Sequence, residues 1–404
     1  MNILFLTIGR ITSIESHSIY ADLLRCFRDH GHSVYAIAPN QKRTGLKTEL
    51  VQENGAHILH VETGNVTGAS NLLSKGIAQV SLEPTFIKAI KKYFSDVKFD
   101  LVMYSTPPIT FAKVVEFVKK RDGAKSYLLL KDIFPQNAVD LGMMTKSGPK
   151  GLIYSYFRGK EKKLYGFSDF IGCMSEANVR YVLAHNPELA PEKVEVCPNA
   201  VEVIDQSVDG ETKIRIREKY GIPQDKTVFI YGGNLGKPQG IPFLVKCLRK
   251  CADMEDAYFL IAGKGNEYPK LENFIKKEKP ANVKLISYLP KEDYDRLVGA
   301  CDVGLIFLDH CFSIPNFPSR LLSYMQAKLP VLAATDPNTD IGTVITEGGF
   351  GWWCESNDAD AFAEKVRAVK REALEEMKNN GYAYLNKNYS AETAYSIIMR
   401  HFSE

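Results

Sequence analysis

The strongest constraint in this sequence is a repeated alternation. Short runs of β-branched and aromatic residues are separated by segments of helical spacing, in two successive series. Parallel strands need long crossovers, usually helical, so this rhythm points to parallel βαβ units. In the first series, strands are expected at Ile3–Ile8, Val34–Ala38, Leu101–Ser105, Tyr127–Leu130, Phe170–Met174 and Val194–Cys197. Between the first two, Ile19, Leu23 and Phe27 share a stripe with Tyr20 and Leu24 beside it, and Gly31 ends that helix. The second series places strands at Thr227–Tyr231, Tyr258–Ala262, Val283–Ile286, Val303–Phe307 and Val331–Ala334. From Pro198 to Asp225 the chain is polar (GETKIRIREKYGIPQDK) and reads as a hinge.

A chain of 404 residues exceeds the usual size of one core. The expected fold is α/β, with two Rossmann-like, doubly wound domains facing a cleft. The boundaries are 1–200 and 201–388, with a C-terminal helix in 389–404 crossing back to the first domain. Ligands of such sheets bind outside the carboxyl ends of the strands.

Composition narrows the function. A hydrophobic share of 45% supports two packed cores, and a net charge of +3 gives no concentrated basic face for nucleic acid. The start MNILFLTIGR reads as a first strand and not as a signal peptide. No window approaches the roughly 18 apolar residues of a membrane span, so membrane contact is expected only peripherally. The eight cysteines show no C-x-x-C pair and no Cys/His metal spacing, which suits buried free thiols in a reducing, cytoplasmic setting.

The most informative stretch is Val228-Phe-Ile-Tyr-Gly-Gly-Asn-Leu-Gly-Lys-Pro-Gln-Gly240, an apolar strand entering a glycine-rich turn before a helix near Pro242. Gly232, Gly233 and Gly236 would let the backbone approach an anion, which a helix N-terminus and Lys237 would neutralise. It is not a Walker A sequence. Three further motifs follow in order: Phe259-Leu-Ile-Ala-Gly-Lys-Gly265, Val283-Lys-Leu-Ile-Ser-Tyr-Leu-Pro290, and Ala300–Phe307 leading to Pro318-Ser-Arg-Leu-Leu-Ser-Tyr-Met-Gln-Ala-Lys-Leu-Pro-Val331.

Together these motifs resemble the donor-binding domain of retaining GT-B glycosyltransferases of family 4, in the style of bacterial capsule and O-antigen enzymes. The first half carries matching elements: Gly31-His-Ser-Val34, Lys131-Asp-Ile-Phe-Pro135, Met174-Ser-Glu-Ala177 and Val196-Cys-Pro-Asn-Ala200. The resemblance implies transfer of a sugar from a nucleotide diphosphate, with UDP favoured, to a glycan or lipid-linked glycan. It implies an acceptor-binding first domain and a donor-binding second one. Gly233, Asn234, Gly236 and Lys237 would lie against the diphosphate. The turn Gly263–Gly265, with Tyr288 and Leu289, would flank the base. Asn316, Phe317, Ser319 and Arg320 would form a loop and helix start near the phosphates and sugar, and Ser323 takes the place of a ribose-binding glutamate.

The sequence departs from the family pattern in two ways. Asn234 and Gln239 stand where many members have Arg and Lys, which leaves Lys237 and Arg320 as cations. The usual paired glutamates fall on Pro315 and Ser323.

A diphosphate leaving group needs prearranged cations and amides, and Arg is well suited to it. The front-face route of the family lets a donor phosphate oxygen take the acceptor proton, so no strong protein base is required. The catalytic candidates are Asp132 and Lys131 for acceptor positioning, His17 near the first helix, and Lys237 and Arg320 for the phosphates. Asp132 is also suited to capping a turn before Pro135, and His32 reads as structural. Asp358–Asp360 has the form of a metal-binding D-x-D but precedes a helix, where acids serve as caps. No metal or cofactor is expected.

Lys150–Tyr165 and Phe86–Phe94 mingle basic and aromatic residues, a pattern that serves either a membrane face or an ordinary amphipathic helix. The competing functions are an epimerase on the same fold and a non-catalytic nucleotide-sugar-binding subunit. A Rossmann oxidoreductase is disfavoured, since Gly9 is followed by no second glycine before Gly31.

Overall fold

The computed structural model describes residues 1–65, 72–149 and 151–402, with backbone alone across 72–80. Contacts divide the chain into two units. The first is Met1–Glu202 with the C-terminal segment from Ala391, and the second is Val203–Ser390.

The first unit holds eight strands: β1 (Asn2–Leu6), β2 (Ser33–Gln41), β3 (Glu49–Glu53), β4 (Ala56–Thr63), β5 (Leu101–Ser105), β6 (Lys125–Leu130), β7 (Phe170–Cys173) and β8 (Val194–Val196). They are ordered β3-β4-β2-β1-β5-β6-β7-β8, and only β3 runs antiparallel, against β4. The second unit holds β9 (Thr227–Asn234), β10 (Ala257–Lys264), β11 (Val283–Ile286), β12 (Val303–Phe307), β13 (Val331–Thr335) and β14 (Gly351–Glu355). Their order is β11-β10-β9-β12-β13-β14, all parallel. Both units are Rossmann-like.

Helices cover both faces of a parallel sheet, so its central strands are apolar throughout instead of alternating. Every residue of β5, β12 and β13 is buried. The helix Ile19–Asp29 starts on Ser18, whose side chain accepts from the Ala21 amide, and it buries Leu23, Leu24 and Phe27. The helix Ala391–Met399 packs in the same core through Ala394 and Ile398. Its Tyr395 hydroxyl meets His32 Nε2 at 3.0 Å, so His32 is a packing residue.

Three expectations need correction. The polar tract read as a hinge contains the helix Gly210–Lys219, capped by Asp209. Its Arg217 is buried and pairs with Asp302 at 2.7 Å, so one charged side chain there points inward. Second, the glycines after Tyr231 still belong to β9, where Gly233 pairs with Gly263 and Asn234 with Lys264. The two strands close so tightly that a Cβ on Gly263 would lie 2.0 Å from the Gly233 carbonyl oxygen. Third, β3, β4 and β14 were not anticipated, because they are edge or near-edge strands with histidines, acids and tryptophans in place of apolar runs.

Asp358 caps the helix Ala359–Ala368, accepting from the amides of Asp360 and Ala361. All eight cysteines are free, and all but Cys26 and Cys311 are buried.

Candidate functional site

In the second unit, the carboxyl ends of β9 and β10 and the segment after β11 enclose a cavity of about 310 Å³. Gly233, Asn234, Ala262, Gly263, Lys264, Tyr288, Leu289 and Tyr294 line it. Five of these are sequence candidates: Gly233, Asn234, Gly263, Tyr288 and Leu289. Gly236 and Lys237 follow Asn234 after Leu235, and Gly265 follows Lys264. Lys237 opens a short 3-10 turn that leads into the helix Ile241–Lys250 through Gly240, whose φ is 56°. The Gln239 side chain holds this turn, accepting from the Gly236 amide at 3.1 Å and from Asn234 Nδ2 at 3.2 Å.

Arg320 begins the helix Arg320–Gln326, and its guanidinium carbon lies 4.3 Å from the centre of the Tyr231 ring. Gly233, at φ 117°, faces it: a Cβ there would stand 3.0 Å from Arg320 Nη2. Burial works against the charge of Arg320, but the neighbouring Tyr231, Tyr324 and Tyr294 outweigh it, and the group stays protonated. None of these three groups is a carboxylate. A cation surrounded by tyrosines and set against the end of β9 is suited to an anion.

Asn316, Phe317, Ser319 and Ser323 lie outside the lining of this cavity. Asn316 has a buried side-chain nitrogen with no hydrogen-bond partner among the described residues, and its carbonyl accepts from Thr339 Oγ1 at 2.5 Å. The Phe317 ring stands 6.0 Å from Tyr389. Ser319 caps the helix without a side-chain hydrogen bond, and Ser323 sits in its first turn.

The sequence reading missed Tyr294, and covered Lys264 only as part of the turn Gly263–Gly265. Lys264 lies between two named glycines, and its Nζ sits 4.8 Å from the Tyr288 ring centre, so a cation over an exposed aromatic was within reach of the motif. Tyr294 comes from the helix Lys291–Gly299, and nothing in its sequence context marks it. It backs onto Gly232, where a Cβ would collide with its hydroxyl.

In the first unit, Lys131 and Asp132 directly follow β6. The Asp132 carboxylate accepts from Asn137 Nδ2 at 2.8 and 2.7 Å. Burial pushes its pKa up to about 6, against the Asn137 side chain and the Ile133 amide. Lys131 Nζ donates to the Cys197 carbonyl at 3.4 Å. Burial draws it down to about 8, while the Cys197 and Cys173 thiols act in the opposite direction. A carboxyl and an amine whose pKa values approach neutrality suit proton or hydroxyl handling.

His17 is not brought to this pair. It lies 3.7 Å from Asp22 and 3.6 Å from Glu202, with Arg25 between them at 2.7 Å and 2.6 Å from the same two carboxylates. His17, Asp22 and Glu202 have metal-ligand geometry, but Arg25 already supplies the cation there. Cys26, His30 and Glu392 form a second such group. The Cys26 thiol donates to Glu392 at 3.3 Å, and burial together with that carboxylate pushes it up to about 12.

Residues 212–384 match the family model described as glycosyl transferases group 1. The chain is a glycosyltransferase. It is 27% identical over 327 residues to the probable glycosyltransferase WbjE of Pseudomonas aeruginosa, covering 80% of this chain and 78% of that one. It is 22% identical over 280 residues to the putative colanic acid biosynthesis glycosyl transferase WcaI of Escherichia coli, covering 67% and 66%. Among solved structures, HepE of Anabaena in complex with UDP and glucose superposes with a TM-score of 0.70 at 16% identity, covering 100% of this chain and 99% of that one. The matched segment of the glycosyltransferase contains the whole cavity and Arg320. Among the described residues, no helix is long and apolar enough to cross a membrane.

Proposed function

We propose that this glycosyltransferase is a retaining, family 4 enzyme that moves a sugar from UDP to a glycan or lipid-linked glycan of a surface polysaccharide. One observation carries the reading: a cavity at the carboxyl ends of β9 and β10, with Arg320 set against Gly233 beside it, amid Tyr231, Tyr294 and Tyr324. The diphosphate would take the Arg320 side with Lys237 and Lys264 nearby, and the base would stack near Tyr288. UDP is favoured by the likeness to HepE, whose structure holds UDP. A polysaccharide acceptor is favoured by the likeness to WcaI. Retention and the family assignment rest on the ordered motifs.

The proposed mechanism is metal-free, because protein cations would meet the leaving group directly. Asp132 and Lys131 would orient the acceptor hydroxyl. A lipid-linked acceptor would place the enzyme peripherally on the inner face of the membrane.

The test is thermal stabilisation by UDP, GDP, ADP and their sugar conjugates, followed by turnover with the stabilising donor. Stabilisation by UDP compounds, weakened in Arg320→Ala, is the expected result. NMR of the product anomer then decides retention. No shift with any nucleotide, or an inverted anomer, would overturn the corresponding part of the reading.

A further inference from the structure

The last helix of the chain meets the first one in a cluster of mixed chemistry. Cys26 lies in the last turn of the helix Ile19–Asp29, and His30 is the residue that ends it. Residues four apart share a helix face, and Cys26 Sγ stands 3.9 Å from His30 Nδ1. Glu392 comes from the first turn of the helix Ala391–Met399, which packs in the same core through Ala394 and Ile398. One donor atom from each of the three residues lies within 4.8 Å of the other two. The arginines that flank Cys26 are committed elsewhere, Arg25 to Asp22 and Glu202 and Arg28 to Glu15 and Asp29.

Each member is held in place. His30 Nδ1 lies 2.9 Å from the Cys26 carbonyl oxygen, which can only accept, so this nitrogen carries a hydrogen. Nε2 is the ring's other nitrogen, and it stands 3.1 Å from Glu392 Oε1. The imidazole is stacked on Tyr395, with centroids 4.0 Å apart and planes 24° from parallel. Tyr395 is itself anchored, since its hydroxyl meets His32 Nε2 and its ring meets Phe27 at 5.0 Å. A backbone carbonyl on one nitrogen is the usual support of an imidazole that ligates a metal through the other. The half-buried Cys26 thiol donates to Glu392 Oε2 at 3.3 Å, and burial, Glu392 and Asp29 all raise its pKa. A thiol and an imidazole thus reach the two oxygens of one carboxylate. The third member lies at the far end of the chain, so no local spacing of Cys and His marks the group.

We infer that Cys26, His30 and Glu392 bind a divalent cation of zinc type, through thiolate sulfur, imidazole Nε2 and a carboxylate oxygen. Thiolate and imidazole select zinc over magnesium or calcium, which take oxygen ligands. The thiol proton leaves to solvent as the metal–sulfur bond forms, and an imidazolium proton on Nε2 leaves likewise. Water completes the coordination on the exposed side. The place of the cluster sets its role. Ser33, just past His30, pairs with Asn2 at the start of β1, so the group sits at the amino ends of these strands. Lys131 and Asp132 follow the carboxyl end of β6 instead. The ion therefore clips the C-terminal helix to the first helix and takes no part in sugar transfer.

Zinc chloride added to the chelator-treated full chain tests it, by titration calorimetry and thermal unfolding. A single ion per chain is expected, with a rise in melting temperature. Cys26→Ser and Glu392→Gln should each weaken zinc binding about ten-fold or more. Cobalt(II) in place of zinc should give a sulfur-to-metal charge-transfer band, which Cys26→Ser removes and Cys311→Ser, at the exposed thiol, leaves unchanged. Cooperative unfolding in chelator shows that a variant is folded, and Glu392→Gln, at an exposed position, carries the test where Cys26→Ser does not fold. No zinc binding by the parent, undiminished binding in either folded variant, or a cobalt band that depends on Cys311 would overturn the proposal.

Discussion

The guanidinium of Arg320 lies over the ring of Tyr231 at 4.3 Å, which ties the start of one helix to the middle of β9. Cation–π contact of this kind steadies a partly desolvated charge without neutralising it. The positive charge therefore remains for a ligand.

Replacing Arg320 by Ala should weaken UDP binding by roughly ten- to a hundred-fold, the scale of a lost charge-assisted hydrogen bond. Arg320→Lys keeps charge but loses the planar stack, and should fall between the parent and Ala. Titration calorimetry with UDP decides it. Equal affinity in all three proteins would remove Arg320 from the donor site.

Asp132 predicts a pH dependence of stability. Its folded pKa is raised from 3.8 to about 6 by burial. The folded protein therefore holds the proton more tightly than the unfolded chain. That stabilisation is complete below 3.8 and is lost as pH rises through about 6. Asp132→Asn avoids burying the charge, so the variant should be more stable than the parent by about 1–2 kcal/mol near pH 8. The gap should close toward pH 4. Urea titrations across this range measure it, and a gap that widens on acidification would contradict the assignment. Sugar transfer should fall in the same variant if the carboxylate positions the acceptor.

Arg217 and Asp302 form a buried pair, and Asp302 also accepts from the Val228 amide at 2.7 Å. Burial alone would raise the Asp302 pKa, but Lys213 and Arg217 hold it below the usual range. Arg217→Ala leaves part of that charge uncompensated and should destabilise the protein by about 3–5 kcal/mol. A loss under about 1 kcal/mol would show that Lys213 suffices.

Metal removal is the fourth test. Dialysis against EDTA should leave the transfer rate within about two-fold of the untreated enzyme, because protein cations are proposed to meet the leaving diphosphate. A rate restored only by added divalent cation would overturn that part of the mechanism. The place to look would then be beside Asn234 and Arg320.

Much of the fold was legible because buried parallel strands announce themselves as apolar runs. Ile3–Leu6, Leu101–Ser105 and Val303–Phe307 needed no tertiary information. The strands at and next to the sheet edges were silent, since β4 and β14 carry His57, His60, Trp352 and Trp353 among their apolar positions. The hinge tract misled because charge is normally a surface signal, and Arg217 is an exception made by a distant partner. At the site, strand-end motifs located Gly233, Gly263 and Leu289. Tyr294 was invisible, because its place depends on how a helix packs against Gly232.

The sequence by itself determined the two βαβ series, the strand ends that carry ligand-binding motifs, and the kind of chemistry those motifs resemble. Local spacing and hydrophobic period are enough for that, since each is set by neighbours along the chain. Only the tertiary structure decided that Arg320 stacks on Tyr231 and faces Gly233, that His17 belongs to Asp22, Arg25 and Glu202, and that Leu152, Ile153 and Tyr156 face outward. Which face of a helix is buried, and which charge meets which, depends on residues far apart in sequence whose proximity no local pattern encodes.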